Sequence, residues 1–159
     1  MADSTIEVKN YLPEIKGKIN NAALQWLEEV AGELESQAKR NTTSDTGQTK
    51  NSWTHQVNRS LGEAVIGSPL ENAVWEEYGT GEFAIEGKGR SGAWYVPVEA
   101  VHSSKKPSYN GKVIVVYGKG GKAFYKTNGK KGQKMLHNAW DATMPKAQKA
   151  LIDKMKNIK

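Results

Sequence analysis

The stretch LPEIKGKINNAALQWLEEVAGELESQA, residues 12–38, decides the architecture. Leu12, Ile15, Ile19, Ala23, Leu24, Leu27, Val30, Ala31, Leu34 and Ala38 recur at steps of three and four, the spacing that gathers apolar side chains on one face of a helix. Glu28, Glu29, Glu33 and Glu35 lie off that stripe and mark a wet face. Trp26 sits at its margin, where it can pack against a neighbour. Pro13 suits a first helical turn, where a missing N–H costs nothing. Far along the chain a second stripe appears: Met135, Leu136, Ala139, Trp140, Thr143, Ala147, Ala150, Leu151 and Met155. Lysines crowd its end, where the helix dipole is negative. Two long helices are thus expected near the ends of the sequence.

Strand signals lie between them. Trp53, His55 and Val57 alternate with polar residues, and residues 61–67 read as the returning strand of a hairpin. Asn72 to Tyr78 has the pattern of a short helix closed by Gly79. Residues 94–98 and 113–117 read as strands, and a Gly118–Gly121 turn leads from the second into residues 123–125. Before Gln48, Ser44 or Asp45 is placed to cap a short turn of helix through Asn51. The expected fold is α+β: both long helices packed on a small antiparallel sheet, with a projecting basic β-hairpin. The whole of 1–159 reads as one domain, with 99–134 as a basic loop and hairpin extension within it.

Composition narrows the function classes. Val, Ile, Leu and Phe number 29, about 18% of the chain, just under the level at which disorder becomes an issue. Five Trp and six Tyr argue for a core, or an assembly, built on rings. No apolar run approaches the roughly 20 residues of a membrane span, and the N-terminus lacks the charged-then-apolar order of a signal peptide, so no membrane contact is expected. With no cysteine there is no disulfide or thiolate site. Nine Lys and no acidic residue lie between Ala100 and Trp140, so the other 118 residues sum to −3 within a net +6. Such a block suits phosphates or an acidic partner surface. It contains no Arg, the residue that best reads guanine edges, so sequence-specific DNA recognition is not expected.

No catalytic set emerges. Asp45-Thr46-Gly47 matches the active-site triplet of aspartic proteases, whose chemistry needs two carboxylates sharing a proton and so would require a homodimer here. Polar Thr42, Thr43 and Ser44 precede the triplet where apolar strand residues would be needed, and a capped turn is the better account. Gly87-x-Gly-x-x-Gly92 spells a dinucleotide fingerprint but leads into Trp94-Tyr95-Val96 rather than a helix. His55, His102 and His137 are scattered, without ligand spacing. Glu76 and Glu77 are adjacent and so point different ways from a helix. Catalytic, metal and cofactor sites are all expected to be absent.

One ordered set of strings is more specific. Ala38-Lys39-Arg40-Asn41 is followed by Asp45-Thr46-Gly47 and Asn51-Ser52, then by Val65-Ile66-Gly67-Ser68 and Glu77-Tyr78-Gly79-Thr80-Gly81. Trp94-Tyr95, Tyr125-Lys-Thr-Asn-Gly129 and an amphipathic helix complete the series. This order resembles the neck or tail-completion proteins of long-tailed bacteriophages, also described as minor capsid or head–tail joining proteins. The resemblance spans nearly the whole chain. It departs from the family at Asn72-Ala73-Val74-Trp75 and at Lys134-Met135-Leu136, and the segment from Glu99 to Lys122 is longer than usual.

The resemblance implies a structural virion protein, not an enzyme. It would form a homo-oligomeric ring, hexameric or dodecameric, assembled in the host cytoplasm and located at the neck. There it would complete the tail and join it to the DNA-filled head, with other neck, tail-terminator, tail-tube and head-connector proteins as partners. The motif residues Asp45, Thr46, Gly47, Ser52, Glu77, Tyr78, Gly79, Thr80 and Gly81 would hold turns in fixed shape. Lys112, Lys119, Lys122, Lys126, Lys130 and Lys131 are the candidates for non-specific contact with genomic DNA or with a partner. Trp26, Trp53, Trp75, Trp94 and Trp140 are the candidates for subunit interfaces, where aromatic anchors dominate the energy. The rival readings are a small basic nucleic-acid-binding protein and, behind it, the Asp45 protease.

Overall fold

The computed structural model describes residues 12–43, 47–87, 89–102 and 105–158. The first stripe forms α1, Leu12–Asn41, and the last forms α4, Met135–Lys156. Glu14 in the first turn of α1 and Lys39 and Arg40 in its last suit the dipole. The two helices lie antiparallel along a seam of small residues. Ala31, Ala38, Ala139 and Ala147 are all buried, which lets the axes approach closely. At one end Asn41 Nδ2 donates to the Met135 carbonyl at 3.0 Å. Further along, Trp26 Nε1 donates to the Ala147 carbonyl at 2.7 Å. Lys154 meets Glu29 at 2.7 Å near the far end. From Leu12 to Asn21 every residue of α1 is exposed, so the helix runs on past this seam.

The core continues from the seam onto one hairpin. Leu34, Ala38, Trp53, Ala73, Met135 and Ala139 form it, with Val30, Ile66, Leu70, Leu136 and Met144 packed around it. β1, Thr54–Asn58, pairs antiparallel with β2, Glu63–Gly67, matching His55 to Ile66 and Val57 to Ala64. Asn58 Oδ1 ties the turn by accepting from the Ser60 and Leu61 amides. The short helices α2, Gln48–Ser52, and α3, Glu71–Tyr78, flank the hairpin. Gly79 closes α3 at φ 79°, its N–H bonded to the Trp75 carbonyl.

The single sheet expected from the sequence is instead three small ones. Besides β1–β2, two-residue strands β3, Thr80–Gly81, and β7, Gly129–Lys130, pair with each other. β4, Trp94–Pro97, β5, Ile114–Tyr117, and β6, Ala123–Thr127, form a three-stranded sheet in the order β4-β6-β5. Ser68-Pro69 and the glycine-rich run after Thr80 interrupt pairing between these groups, because proline withholds a ladder donor and glycine favours turns. The β5–β6 hairpin forms as read, but β6 is the middle strand of its sheet. One further reading changes, and another is out of reach: α2 starts after Gly47, at φ 73°, while Ser44, Asp45 and Thr46, and with them the Ser44 or Asp45 cap, lie outside the described residues. Trp53 is a core residue, 4% exposed, its Nε1 donating to Thr42 Oγ1 at 2.9 Å, because the strand start tucks it under the end of α1.

A charged contact pins β1 to α1. Glu35 accepts from Lys39 Nζ at 2.5 Å and lies 2.5 Å from His55 Nδ1. The hydrogen bonds from Lys39 and then His55 hold the Glu35 carboxyl below the usual carboxylate value. A depressed folded pKa contributes stability above the unfolded value, about 4.3, and that contribution is lost as pH falls through the folded pKa. Glu35→Gln is therefore expected to destabilise the protein at neutral pH, with the deficit shrinking as pH drops below 4. Urea midpoints of both proteins at pH 7 and pH 3 test this; an equal deficit at the two values contradicts it.

Candidate functional site

Two of the motif strings, Glu77–Gly81 and Tyr125–Gly129, meet near the start of α4. That helix lacks a cap of its own: Lys134, in the capping position, has a left-handed backbone at φ 52° and makes no side-chain cap bond. Glu77 supplies the cap from the end of α3. Its Oε2 accepts from the Leu136 amide at 2.8 Å and its Oε1 from the His137 amide at 3.0 Å. The carboxylate is buried, Glu77 being 6% exposed, and it faces the positive pole of α4. Neighbouring Glu76 points elsewhere, as adjacency on a helix requires. It meets Lys130 Nζ at 2.5 Å and accepts from the Gln133 side chain. Gln133 Oε1 in turn accepts from the Thr43 amide and hydroxyl at 3.1 and 2.7 Å. The end of α1, the end of α3 and the entry to α4 are thereby tied in one knot.

Glycines let the strands of this knot touch. A Cβ at Gly79, φ 79°, would lie 2.7 Å from the Gly132 nitrogen and 2.8 Å from the Lys130 carbonyl oxygen. One at Gly81 would collide with the Asn128 carbonyl and the Trp94 ring, and one at Gly129 with the Thr80 carbonyl. Thr80 Oγ1 accepts from the Lys130 amide at 3.1 Å. Beneath them Asn128 is 1% exposed. Its Nδ2 donates to Glu82 and Asn110 at 2.7 and 3.0 Å, and its carbonyl accepts from the Glu82 amide. Ser52 serves a smaller junction, its hydroxyl 2.7 Å from Ser68 Oγ, which accepts from the Leu70 amide before α3. Gln133 was not singled out in the sequence, and Asn128 entered only within the Tyr125–Gly129 string, without a role of its own. The glycines at 129 and 132, placed to cross those at 79 and 81, are the signal that could have found them.

Outside the knot lies an open cleft of about 380 Å³ lined by Tyr78, Ile85, Leu136, His137 and Trp140, with Lys134 at its margin. Tyr78 is 54%, Ile85 40% and Trp140 52% exposed. Trp75, on α3, is exposed as well. The remaining tryptophans are partly committed within the chain: Trp26 to the Ala147 carbonyl, and Trp94 to Gly81 and to the Arg90 guanidinium 5.4 Å above its ring. The lysines divide similarly. Lys130 pairs with Glu76, Lys126 lies 4.1 Å over the Tyr109 ring and Lys131 6.0 Å over Phe83. Lys112, Lys119 and Lys122, at the ends of the β5–β6 hairpin, are exposed. Among the described residues no group of three His, Asp or Glu is placed to hold a metal, and no helix is long and apolar enough to cross a membrane.

These features describe a fold braced by residues 77–82 and 128–137, with aromatic surface left uncovered. Residues 6–79 match the family model described as "Bacteriophage HK97-gp10, putative tail-component". The matched span runs through α1, the β1–β2 hairpin and α3, ending at Gly79, and is consistent with the neck and tail-completion proteins that the motif order resembles. A tail-component family implies a virion location among other virion proteins. No curated protein and no solved structure matches the chain.

Two substitutions probe the knot. Glu77→Ala leaves two part-buried amides at the start of α4 unpaired and is expected to cost about 1–2 kcal/mol, with Glu77→Gln losing less. A denaturant-measured loss below about 0.5 kcal/mol for the alanine variant would remove the capping role. Gly79→Ala should cost clearly more than Gly92→Ala. Both have φ near 78°, but the Gly92 site is open and carries only the left-handed penalty of about 1–2 kcal/mol. Equal losses would mean that the close crossing at Gly79 is unimportant.

Proposed function

We propose that this chain is a ring-forming subunit of the phage neck that completes the tail and joins it to the DNA-filled head. The observation that carries the reading is the cleft of Tyr78, Ile85 and Trp140 beside the braced turn. Large rings held in fixed positions and left uncovered are the chemistry of an interface anchor. Bracing fits the same purpose, since an anchor held rigid loses less entropy when its partner arrives. The ring is hexameric or dodecameric in this reading, its subunit a single domain spanning 1–159. The uncovered aromatics Trp75 and Trp140 are its leading interface residues.

The purified chain is expected to multimerise, either alone or when the adjoining tail and head-connector proteins are added. Trp140→Ala should weaken that assembly at least tenfold without lowering the unfolding midpoint. Light scattering reads both, and a wild-type chain that stays monomeric and ignores every neighbour would sink the ring.

Lys112, Lys119 and Lys122 support a further element, non-specific contact with DNA passing the junction. Each phosphate contact contributes about 0.9 to the slope of log affinity against log salt. Changing all three to Glu should therefore flatten the salt dependence of DNA binding by roughly 2–3. Unimpaired head–tail joining by that variant would count against the contact.

A further inference from the structure

Two surfaces of the helical pair fit each other and cannot meet within one molecule. The first is the exposed start of α1, residues 12–21. Leu12, Ile15 and Ile19 continue there the stripe that packs against α4 further on, and they are 71%, 43% and 41% exposed. Glu14, Lys16 and Lys18 stand beside the stripe. The second is a groove of about 380 Å³ along the α1–α4 seam, with a floor of Val30, Thr143, Ala147 and Ala150. Glu29 and Glu33 rise on its α1 wall and Lys146 on its α4 wall. The residues of α1 that line it run from Trp26 to Gln37, about 16 Å at 1.5 Å per residue, and the ten exposed residues of α1 span about 15 Å.

We infer that the start of α1 from one copy lies in the α1–α4 groove of the next, as the contact that builds the ring. Apolar residues at i, i+3 and i+7 are the anchors of a helix seated in a groove. The small floor residues admit a helix axis closely. The flanks of the stripe complement the walls: Lys16, on one flank, can meet the Glu29 and Glu33 wall, and Glu14, on the other flank beside Lys18, can meet Lys146. The pairs these groups now make, Lys18 with Glu14, Glu33 with Arg40 and Glu29 with Lys154, are solvent-exposed, so exchanging them costs little. A continuous helix cannot fold back onto its own wall, so the occupant comes from another molecule. Every copy carries one of each surface, and such a head-to-tail contact closes into a ring when its rotation permits.

The contact rests on the ring reading above and is separable from it by complementation. Ile15→Glu with Ile19→Glu spoils the inserted face; Ala142→Trp with Ala150→Trp fills the groove. All four positions are exposed, and unchanged unfolding midpoints would confirm that both variants fold. Each variant alone, with or without the adjoining tail and head proteins, is expected to stay monomeric. Mixed in equal amounts they retain one intact contact per pair and should give a heterodimer and nothing larger by light scattering. Variants that multimerise like the wild type, or a mixture that forms no dimer, overturn this contact while leaving the ring standing. A wild-type chain that never multimerises overturns both.

Discussion

One buried carboxylate organises this molecule. Glu77 sits where α3 ends and closes the first turn of a helix nearly sixty residues further on. Without it, α4 would begin at a lysine in a left-handed conformation with no cap and two part-buried amides unanswered. α4 is also one side of the seam that forms the core with α1. The cap therefore governs the placement of a long helix, and through that helix the packing of Met135 and Ala139 against Leu34 and Ala38. The glycine crossing of residues 79–81 with 129–132 keeps the carboxylate in place by bringing backbone against backbone.

The string from Glu77 to Gly81 acquires a physical meaning here. In Glu77-Tyr78-Gly79-Thr80-Gly81, the acid caps α4, the glycines permit the crossing, Thr80 receives the Lys130 amide, and Tyr78 is left facing outward. Four of the five residues are turned to the chain's own architecture and one to solvent. Interfaces built on such a turn inherit its rigidity. The family match covers the acid side of the knot and stops at Gly79, so the complementary residues 128–137 are supplied by a part of the chain outside the matched span.

Much of the fold was legible in the sequence because periodicity reports it directly. Both long helices, the β1–β2 hairpin and the closure of α3 at Gly79 fall within a few residues of where spacing placed them. The division of the strands among three sheets was not legible, since period-two patterns say which residues alternate but not which strands pair. β6 in the middle of its sheet is a tertiary outcome of this kind. The roles of the tryptophans were equally hidden: Trp53 and Trp140 look alike in sequence, and only the packing at the end of α1 distinguishes a core ring from an exposed one. Gln133 escaped notice, and the role of Asn128 within its string did too, because isolated amides carry no periodic signal. The lysine block was visible as charge, but its division into lysines bound to Glu76 or stacked on Tyr109 and Phe83, and lysines left exposed, depends on neighbours distant in sequence.

The knot also has a bearing on the order of events during synthesis. Its three parts lie at residues 41–43, 76–82 and 128–137, so it is made wholly of contacts with high sequence separation, the kind that form late. α1 and the β1–β2 hairpin can emerge and begin to pack while α4 is still missing. The amides that Glu77 answers do not exist until residues 136 and 137 have been added. Until then the Tyr78 turn has no rigid backing, and α1 has no partner with which to form a groove. A chain interrupted during translation would thus lack the Tyr78 cleft and the α1–α4 groove while still carrying the exposed start of α1, so it could enter another copy's groove but offer none to the next.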